Sequence, residues 1–272
     1  RLEDSDLFIG FLMLAFLMWS INLYNFMDGI DGLAASQGIF VSLAMATLLA
    51  IDSQWSWASM YLALSLGLLV FVKWNWSPAR MFMGDTGSVF LGWWFAASGL
   101  MNAANTNVNI WMVLITVSVF VTDASFTLFR RWVQGEQIFN AHRSHVYQIL
   151  TERLDSHSST VKVYLLVNGL FVVPALALAW RSPQYSAEYC IGLYLILLSL
   201  CVGAWGGFRV VASAGTDSRV GQLALRRFPV IWIMALDGLA SMVSFSLAYL
   251  IRLDFPRFVE WLTYEWLLAP LV

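Results

Sequence analysis

The sequence is poor in charged residues. Only 12% of its 272 residues are Asp, Glu, Lys or Arg, against roughly 25% in a typical soluble domain. The mean hydropathy is +0.70. This composition excludes a soluble enzyme and a disordered tail. The net charge of −2 gives no overall attraction to polyanions, so a basic nucleic-acid binder is excluded and any phosphate chemistry needs a local site.

Cysteine is scarce as well. The two cysteines, Cys190 and Cys201, lie in apolar stretches, which favours small core residues over a disulfide. The first residue is Arg1 and an acidic segment follows it, so the chain does not start with a signal peptide. We expect a piece cut from a longer protein.

Apolar residues make up 60% of the chain, in runs separated by polar breaks. Several runs approach the ~20 residues that cross a bilayer. Helices satisfy every backbone group inside lipid, and the runs lack the alternation of a barrel. The sequence therefore predicts an all-α, polytopic integral membrane protein with about eight spans, near residues 7–26, 33–51, 55–73, 88–104, 109–128, 161–180, 188–208 and 229–251.

The basic residues predict the orientation of these spans. With alternating sides, four of the 15 Lys and Arg fall on the side of the N-terminus and 11 on the other. Positive charge accumulates on the cytoplasmic side. The polar motifs around Asp28, Asp85 and His142 all fall on this basic side, which predicts an active face on the cytoplasm.

The first motif runs from Asn22 through Asn25 to Asp28-Gly-Ile-Asp31-Gly. Two carboxylates three residues apart share one face if the segment is helical, and carboxylates at a membrane boundary are usually functional. The alternative is a helix–turn–helix junction in which Asp31 caps the next helix.

The second motif runs from Asn75 through Pro78 and Arg80 to Gly84-Asp85-Thr86-Gly-Ser88, immediately before an apolar run. A helix N-terminus suits a phosphate, and Asp85 suits Mg²⁺, which takes carboxylate and phosphate oxygens together. The alternative is capping of the helix by Asp85, Thr86 or Ser88.

The third motif lies in a long polar gap that contains three arginines and two of the three histidines: Arg130, Arg131, His142, Arg143 and His145. Such a cluster can hold a diphosphate by charge-assisted hydrogen bonds. Contact with anionic lipid and a two-histidine metal site are the alternatives. Asp123 lies one to two turns before the arginines, in a position to support them.

Together, the three motifs resemble the polyprenyl-phosphate N-acetylhexosamine-1-phosphate transferases. The matching segments are Asn-x-x-Asn-x-x-Asp-Gly-x-Asp-Gly-Leu-Ala, Pro-Ala-x-x-Phe-Met-Gly-Asp-x-Gly-Ser and Ala-His-Arg-Ser-His-x-Tyr-Gln. The likeness covers residues 7–208 and is greatest to the bacterial branch that initiates O-antigen and similar lipid-linked glycans.

The resemblance implies that a UDP-N-acetylhexosamine gives its sugar-1-phosphate to undecaprenyl phosphate and releases UMP. It implies Mg²⁺, with Mn²⁺ as an alternative, the bacterial inner membrane, contact with membrane lipid, no nucleic-acid partner, and a homodimer as one option. Catalytic roles fall on Asp28, Asp31 and Asp85, the last as the metal ligand. Substrate-binding roles fall on Asn22, Asn25, Gly84, Ser88, Arg130, Arg131, His142, Arg143 and His145.

The chain departs from the family pattern at both ends. The family carries an adjacent acidic pair on an earlier cytoplasmic helix end, and no Asp-Asp occurs in this sequence. We therefore expect a transferase membrane domain at 1–208 that lacks its first helices and is inactive alone. Residues 209–228 form an expected cytoplasmic linker. Residues 229–272, including Asp237, resemble the first membrane helix of nucleotide-sugar dehydratases and epimerases, and one extra transferase helix is the alternative.

Three other functional classes compete with this hypothesis. A transporter or flippase-like protein for lipid-linked glycans needs polar groups near the membrane midplane, whereas here they collect at one face. A CDP-alcohol phosphotransferase needs an Asp-Gly-x-x-Ala-Arg run that is absent. A non-catalytic membrane scaffold is the remaining alternative for this segment in isolation.

Overall fold

The computed structural model describes residues 4–136 and 144–213, which form helices without a strand among them. The all-α prediction is confirmed. A π-helical turn at Asn168–Val172 joins the seventh helix to the eighth. The helices are α1 (Asp4–Phe26), α2 (Leu33–Ile51), α3 (Trp55–Asn75), α4 (Gly84–Asn105), α5 (Ile110–Val133), α6 (Val146–Leu154), α7 (His157–Val167), α8 (Val173–Arg181) and α9 (Ser186–Ser213).

Five helical stretches in the described residues are long and apolar enough to cross a membrane, which makes this a multi-pass membrane protein. The predicted spans near 7–26 and 88–104 correspond to α1 and α4, which are not among these five stretches. Helix α4 carries polar residues at both ends. The span predicted near 229–251 and Asp237 lie outside the described residues, whereas α9 extends into the segment predicted as a linker. The five stretches are Leu33–Ile51, Trp55–Asn75, Ile110–Val133, His157–Arg181 and Pro183–Gly206.

Helix α5 is the centre of the bundle. It contacts α1, α2, α4, α6, α8 and α9, while α2 pairs with α3 and α1 pairs with α4. Met112, Ile115 and Phe120 on α5 are completely buried. Leu66 and Val70 on α3 are instead more than half exposed, as expected of side chains that face lipid rather than water.

The alternation of the helices gives the bundle two ends. At the far end, Asp52 after α2 accepts the backbone N–H of Asn107 at 3.0 Å, and Asn109 donates to Ser186 Oγ at 3.0 Å. At the other end, here called the motif end, lie the carboxylate loop (residues 27–32, between α1 and α2), the α3–α4 loop (residues 76–83) and the start of α6. The first two motifs therefore meet at one end of the bundle.

Candidate active site

The carboxylate loop is not helical. Helix α1 ends at Phe26, and Gly32 adopts a left-handed φ of +80° that favours glycine. Asp28 and Asp31 therefore do not share a helix face, because the helical condition attached to their spacing is not met. The capping alternative for Asp31 is wrong, because Gly32 precedes α2 and no side chain caps that helix among the described residues.

Two side chains hold the carboxylate loop against the α3–α4 loop. Asp31 Oδ2 accepts the backbone N–H of Ala79 at 3.2 Å. Asn75, at the end of α3, accepts the N–H of Gly32 at 3.0 Å and donates to the carbonyl of Met81 at 2.9 Å. Asn75 is buried, so its amide joins both loops where water does not compete for these bonds.

The start of α4 faces the same space. Gly84 begins the helix with a φ of +64°, and the preceding Met83 makes no side-chain cap. The capping alternative for Asp85, Thr86 and Ser88 is therefore not observed in the described residues. The first N–H groups of α4 lie beside Asp85, where the positive end of the helix dipole favours an anionic group.

Asp28 and Asp85 are electrostatically coupled. Burial, and then the negative charge of Asp85, raise the pKa of Asp28 from its ordinary 3.8 to about 6. The two motifs are tied by Ser88 Oγ, which donates to Asn25 Oδ1 at 2.7 Å and so links the end of α1 to the first turn of α4. The site thus holds two carboxylates near each other at the membrane boundary.

An open, almost wholly apolar groove of about 510 Å³ lies along α4 beside Asp85, and α1 contributes Ile21 to its lining. Asp85 and Thr86 are part of its lining, and Phe90 and Trp93 farther along α4 are nearly half exposed. A groove of this kind suits a long apolar chain. It is lined by Ile21, Asp85, Thr86, Val89, Phe90 and Trp93.

Tyr147 on α6 fixes the first half of the carboxylate loop. Its hydroxyl donates to the carbonyl of Phe26 at 3.1 Å. A Cβ on Gly29 would lie 1.9 Å from the same hydroxyl, so only glycine fits beneath Tyr147. Helix α6 was not predicted as a separate element, and the Tyr147 hydroxyl connects it directly to the end of α1.

The Asp123 carboxylate holds the start of helix α6 in place instead of supporting an arginine. Its carboxylate accepts the N–H groups of Val146 and Tyr147 at 2.8 and 3.0 Å and the hydroxyl of Tyr164. The expectation that Asp123 supports Arg130 or Arg131 is wrong. A buried carboxylate is satisfied best by several fixed donors, and the start of a helix supplies two of them.

The two arginines are buried against the protein. Arg130 donates to the carbonyl of Ser144 at 3.0 Å and lies 5.3 Å over the ring of Trp205. Arg131 forms an ion pair with Glu136 at 2.8 Å. Their predicted contact with substrate stays a prediction.

His145 is buried as well, immediately before α6. Its backbone N–H donates to Gln148 Oε1 at 3.1 Å, and its ring stacks on Tyr147 with centroids 5.7 Å apart. The predicted phosphate contact of His145 stays a prediction. His142 and Arg143 lie outside the described residues.

Sequence reasoning missed the third histidine. His157, the first residue of α7, places Nδ1 3.2 Å from Asp31 Oδ2. Its position in a polar break on the predicted active side was the available signal. Asn75 lies in the second motif, but no role was predicted for it. Asn22, in contrast, donates to Met18 O within α1 at 2.9 Å and is exposed.

The donor set fits a hard divalent cation shared with substrate. Among residues 4–136 and 144–213, no group of three His, Cys, Asp or Glu is placed to hold a metal ion. No ion pair in this part of the chain includes Asp28 or Asp85. Two coupled carboxylates without a cationic partner provide the one or two protein ligands that Mg²⁺ uses when phosphates supply the others.

The comparisons with known proteins give a family match and several relatives. Residues 3–103 match the family model "Glycosyl transferase family 4". The chain is 29% identical, over 67% of its length, to the probable undecaprenyl-phosphate N-acetylglucosaminyl 1-phosphate transferase of Bacillus subtilis, of which it covers 51%. It is 35% identical, over 42% of its length, to the phospho-N-acetylmuramoyl-pentapeptide-transferase of Synechocystis, covering 32% of that protein.

A third relative is the decaprenyl-phosphate N-acetylglucosaminephosphotransferase of Mycobacterium tuberculosis, at 26% identity over 68% of this chain and 51% of the relative. No solved structure matches significantly. The chain spans about half the length, or less, of these curated relatives. The resemblance predicted from the three motifs is confirmed, and the chain is similar to the polyprenyl-phosphate sugar-1-phosphate transferases.

Proposed function

We propose that the protein transfers N-acetylhexosamine-1-phosphate from a UDP-sugar to undecaprenyl phosphate and thereby initiates a lipid-linked glycan such as O-antigen. The observation that carries the proposal is the coupled pair Asp28 and Asp85, together with the apolar groove that has Asp85 in its lining. The two carboxylates suit a cation that offsets phosphate charge, and the apolar groove suits an isoprenoid chain.

The reaction exchanges one phosphoanhydride for another. A phosphate oxygen of undecaprenyl phosphate attacks the sugar-bearing phosphorus of the UDP-sugar, the bond to UMP breaks, and a polyprenyl diphosphate sugar forms. Little covalent chemistry is required of the protein. Its work is to position two anions against their repulsion and to stabilise the leaving phosphate.

Each element of the site has a task in this reaction. Asp28 and Asp85 would hold Mg²⁺, or Mn²⁺, which supplies positive charge to offset the two phosphates. The first turn of α4 directs its N–H groups toward an anion. Asn25 and Asp31 keep the carboxylate loop in place through Ser88 and Ala79.

The donor sugar is the open choice within this proposal. Two relatives are named for N-acetylglucosaminyl phosphate transfer, and others are phospho-N-acetylmuramoyl-pentapeptide-transferases. We favour an N-acetylhexosamine donor because the third motif reads Ala-His-Arg-Ser-His, the form typical of the O-antigen-initiating branch. The cytoplasmic face of the bacterial inner membrane is the proposed location, since UDP-sugars are cytoplasmic.

The test is UMP release by the full-length protein in detergent. Undecaprenyl phosphate is supplied with a panel of UDP-N-acetylhexosamines and UDP-N-acetylmuramoyl-pentapeptide, with Mg²⁺ or with a chelator. Asp85→Asn removes the proposed ligand, and Glu188→Gln at the exposed far end is the matched control. We expect Mg²⁺-dependent release that only Asp85→Asn abolishes. No release by folded protein with any donor contradicts the proposal.

A further inference from the structure

His157 joins the carboxylate loop to a part of the chain 126 residues away. Its Nδ1 lies 3.2 Å from Asp31 Oδ2 and 3.3 Å from the backbone nitrogen of Asp31. The same Oδ2 accepts the N–H of Ala79 from the α3–α4 loop. One carboxylate oxygen is thus approached from two different segments, which restricts the rotation of the Asp31 side chain.

The backbone that carries His157 is itself fixed. Ser156 caps α7 by accepting the N–H of Ser159 at 3.2 Å. Thr160, one turn into α7, accepts a hydrogen bond from the hydroxyl of Thr151 on α6 at 3.0 Å. A side chain on the first residue of a capped helix has a defined direction, so His157 can act as a fixed support for Asp31.

We propose that His157 is a positioning residue for the transferase reaction, acting through Asp31. This inference rests on the proposed function. His157 does not line the apolar groove, and its contact is with Asp31 rather than with the carboxylate pair. His157 therefore affects the position of the carboxylate loop. A displacement of about 1 Å in a residue of this loop can lower the reaction rate about 100-fold.

The Nδ1 contact predicts which substitutions preserve the function. In Asn the amide atoms stand at the same number of bonds from Cβ as Nδ1, so His157→Asn keeps a polar atom near Asp31. Gln places its amide one bond farther, near the position of Nε2, and Ala removes the contact. Ser158→Ala is the matched control, because it removes a polar group from the same turn without touching Asp31.

The kinetic test uses the full-length protein, a UDP-N-acetylhexosamine and undecaprenyl phosphate. We expect His157→Ala and His157→Gln to lower kcat by about 10- to 100-fold, with KM for the UDP-sugar changed by less than about threefold. His157→Asn and Ser158→Ala should retain most of the activity. Wild-type kcat in His157→Ala, or equal losses in the Ala and Asn variants, overturns the proposal.

A second measurement does not depend on the transferase activity. Melting temperatures are compared for His157→Ala, Asp31→Ala and the double variant. If the two side chains act through each other, the His157 substitution shifts the melting temperature less in the Asp31→Ala background. Fully additive shifts refute the coupling. A wild-type protein without UMP release would refute the proposed function, and this cycle would still report on His157 and Asp31.

Discussion

Replacing Asp28 with Asn is expected to stabilise the protein above about pH 6 while removing its activity. The pKa of Asp28 is raised from 3.8 to about 6 by burial and by the charge of Asp85. The folded state therefore prefers the protonated carboxyl. Its stability contribution is complete below pH 3.8 and is lost as the pH rises through about 6. Asn has the shape of the protonated acid and carries no charge at any pH.

The size of the effect follows from the two pKa values. The difference between 3.8 and about 6 corresponds to at most about 3 kcal/mol, since one pKa unit is about 1.4 kcal/mol. Asp28 is partly exposed, so solvent screening reduces this to about 1–2 kcal/mol. At about 2–4 °C per kcal/mol for a domain of this size, Asp28→Asn should melt several degrees above the wild type at pH 8.

The assay is thermal unfolding in detergent with a metal chelator, at intervals from pH 4 to pH 8. The advantage of Asp28→Asn should be small at pH 4, grow up to about pH 6, and stay constant above it. Glu152→Gln removes the same charge from an exposed position on α6 and should give no comparable gain. Combining Asp28→Asn with Asp85→Asn should shrink the advantage, because Asp85 is part of its cause.

An advantage that is independent of pH, or equal in Glu152→Gln, would show that the Asp28 carboxylate is not the source of the strain. An unchanged advantage in the Asp85→Asn background would refute the coupling between the two carboxylates. Either result would remove the main electrostatic support for the proposed site.

Two further substitutions test the supports of the site. Gly29→Ala places a Cβ 1.9 Å from the hydroxyl of Tyr147 and should lower the free energy of unfolding by about 1–3 kcal/mol. The control is Gly67→Ala, whose Cβ meets nothing within 4 Å. Equal melting temperatures for the two variants contradict the contact. Asp123→Asn turns an amide toward the N–H of Val146 and should lower the free energy of unfolding by about 1–3 kcal/mol, with faster proteolysis near α6. Melting and proteolysis like those of the wild type contradict this role of Asp123.

The fold was predictable because lipid leaves few alternatives. Long apolar runs must form helices, and the run boundaries near 33–51 and 55–73 lie within two residues of α2 and α3. The short helix α6 was not predicted, because it is held by the distant Asp123 rather than by its own apolar content. A contact between residues 23 positions apart leaves no local pattern in the sequence.

The site was predictable in its segments but not in its geometry. The spacing of Asp28 and Asp31 gives one shared face only in a helix, whereas α1 ends at Phe26 and the two carboxylates acquire different partners. The role of Asn75 depends on three segments meeting. His157 is recognisable only when α7 is placed beside the carboxylate loop.

These observations explain why the carboxylate loop has so many fixed partners. Two nearby carboxylates at a membrane boundary repel each other, so the site lowers the stability of the fold until cationic charge enters. The bonds of Asn75, Tyr147 and Asp31 come from three different helices or loops, and none of them neutralises Asp28 or Asp85. They hold the loop in position while leaving its negative charge intact. Among residues 4–136 and 144–213 no ion pair includes Asp28 or Asp85, so this arrangement favours the entry of cationic charge.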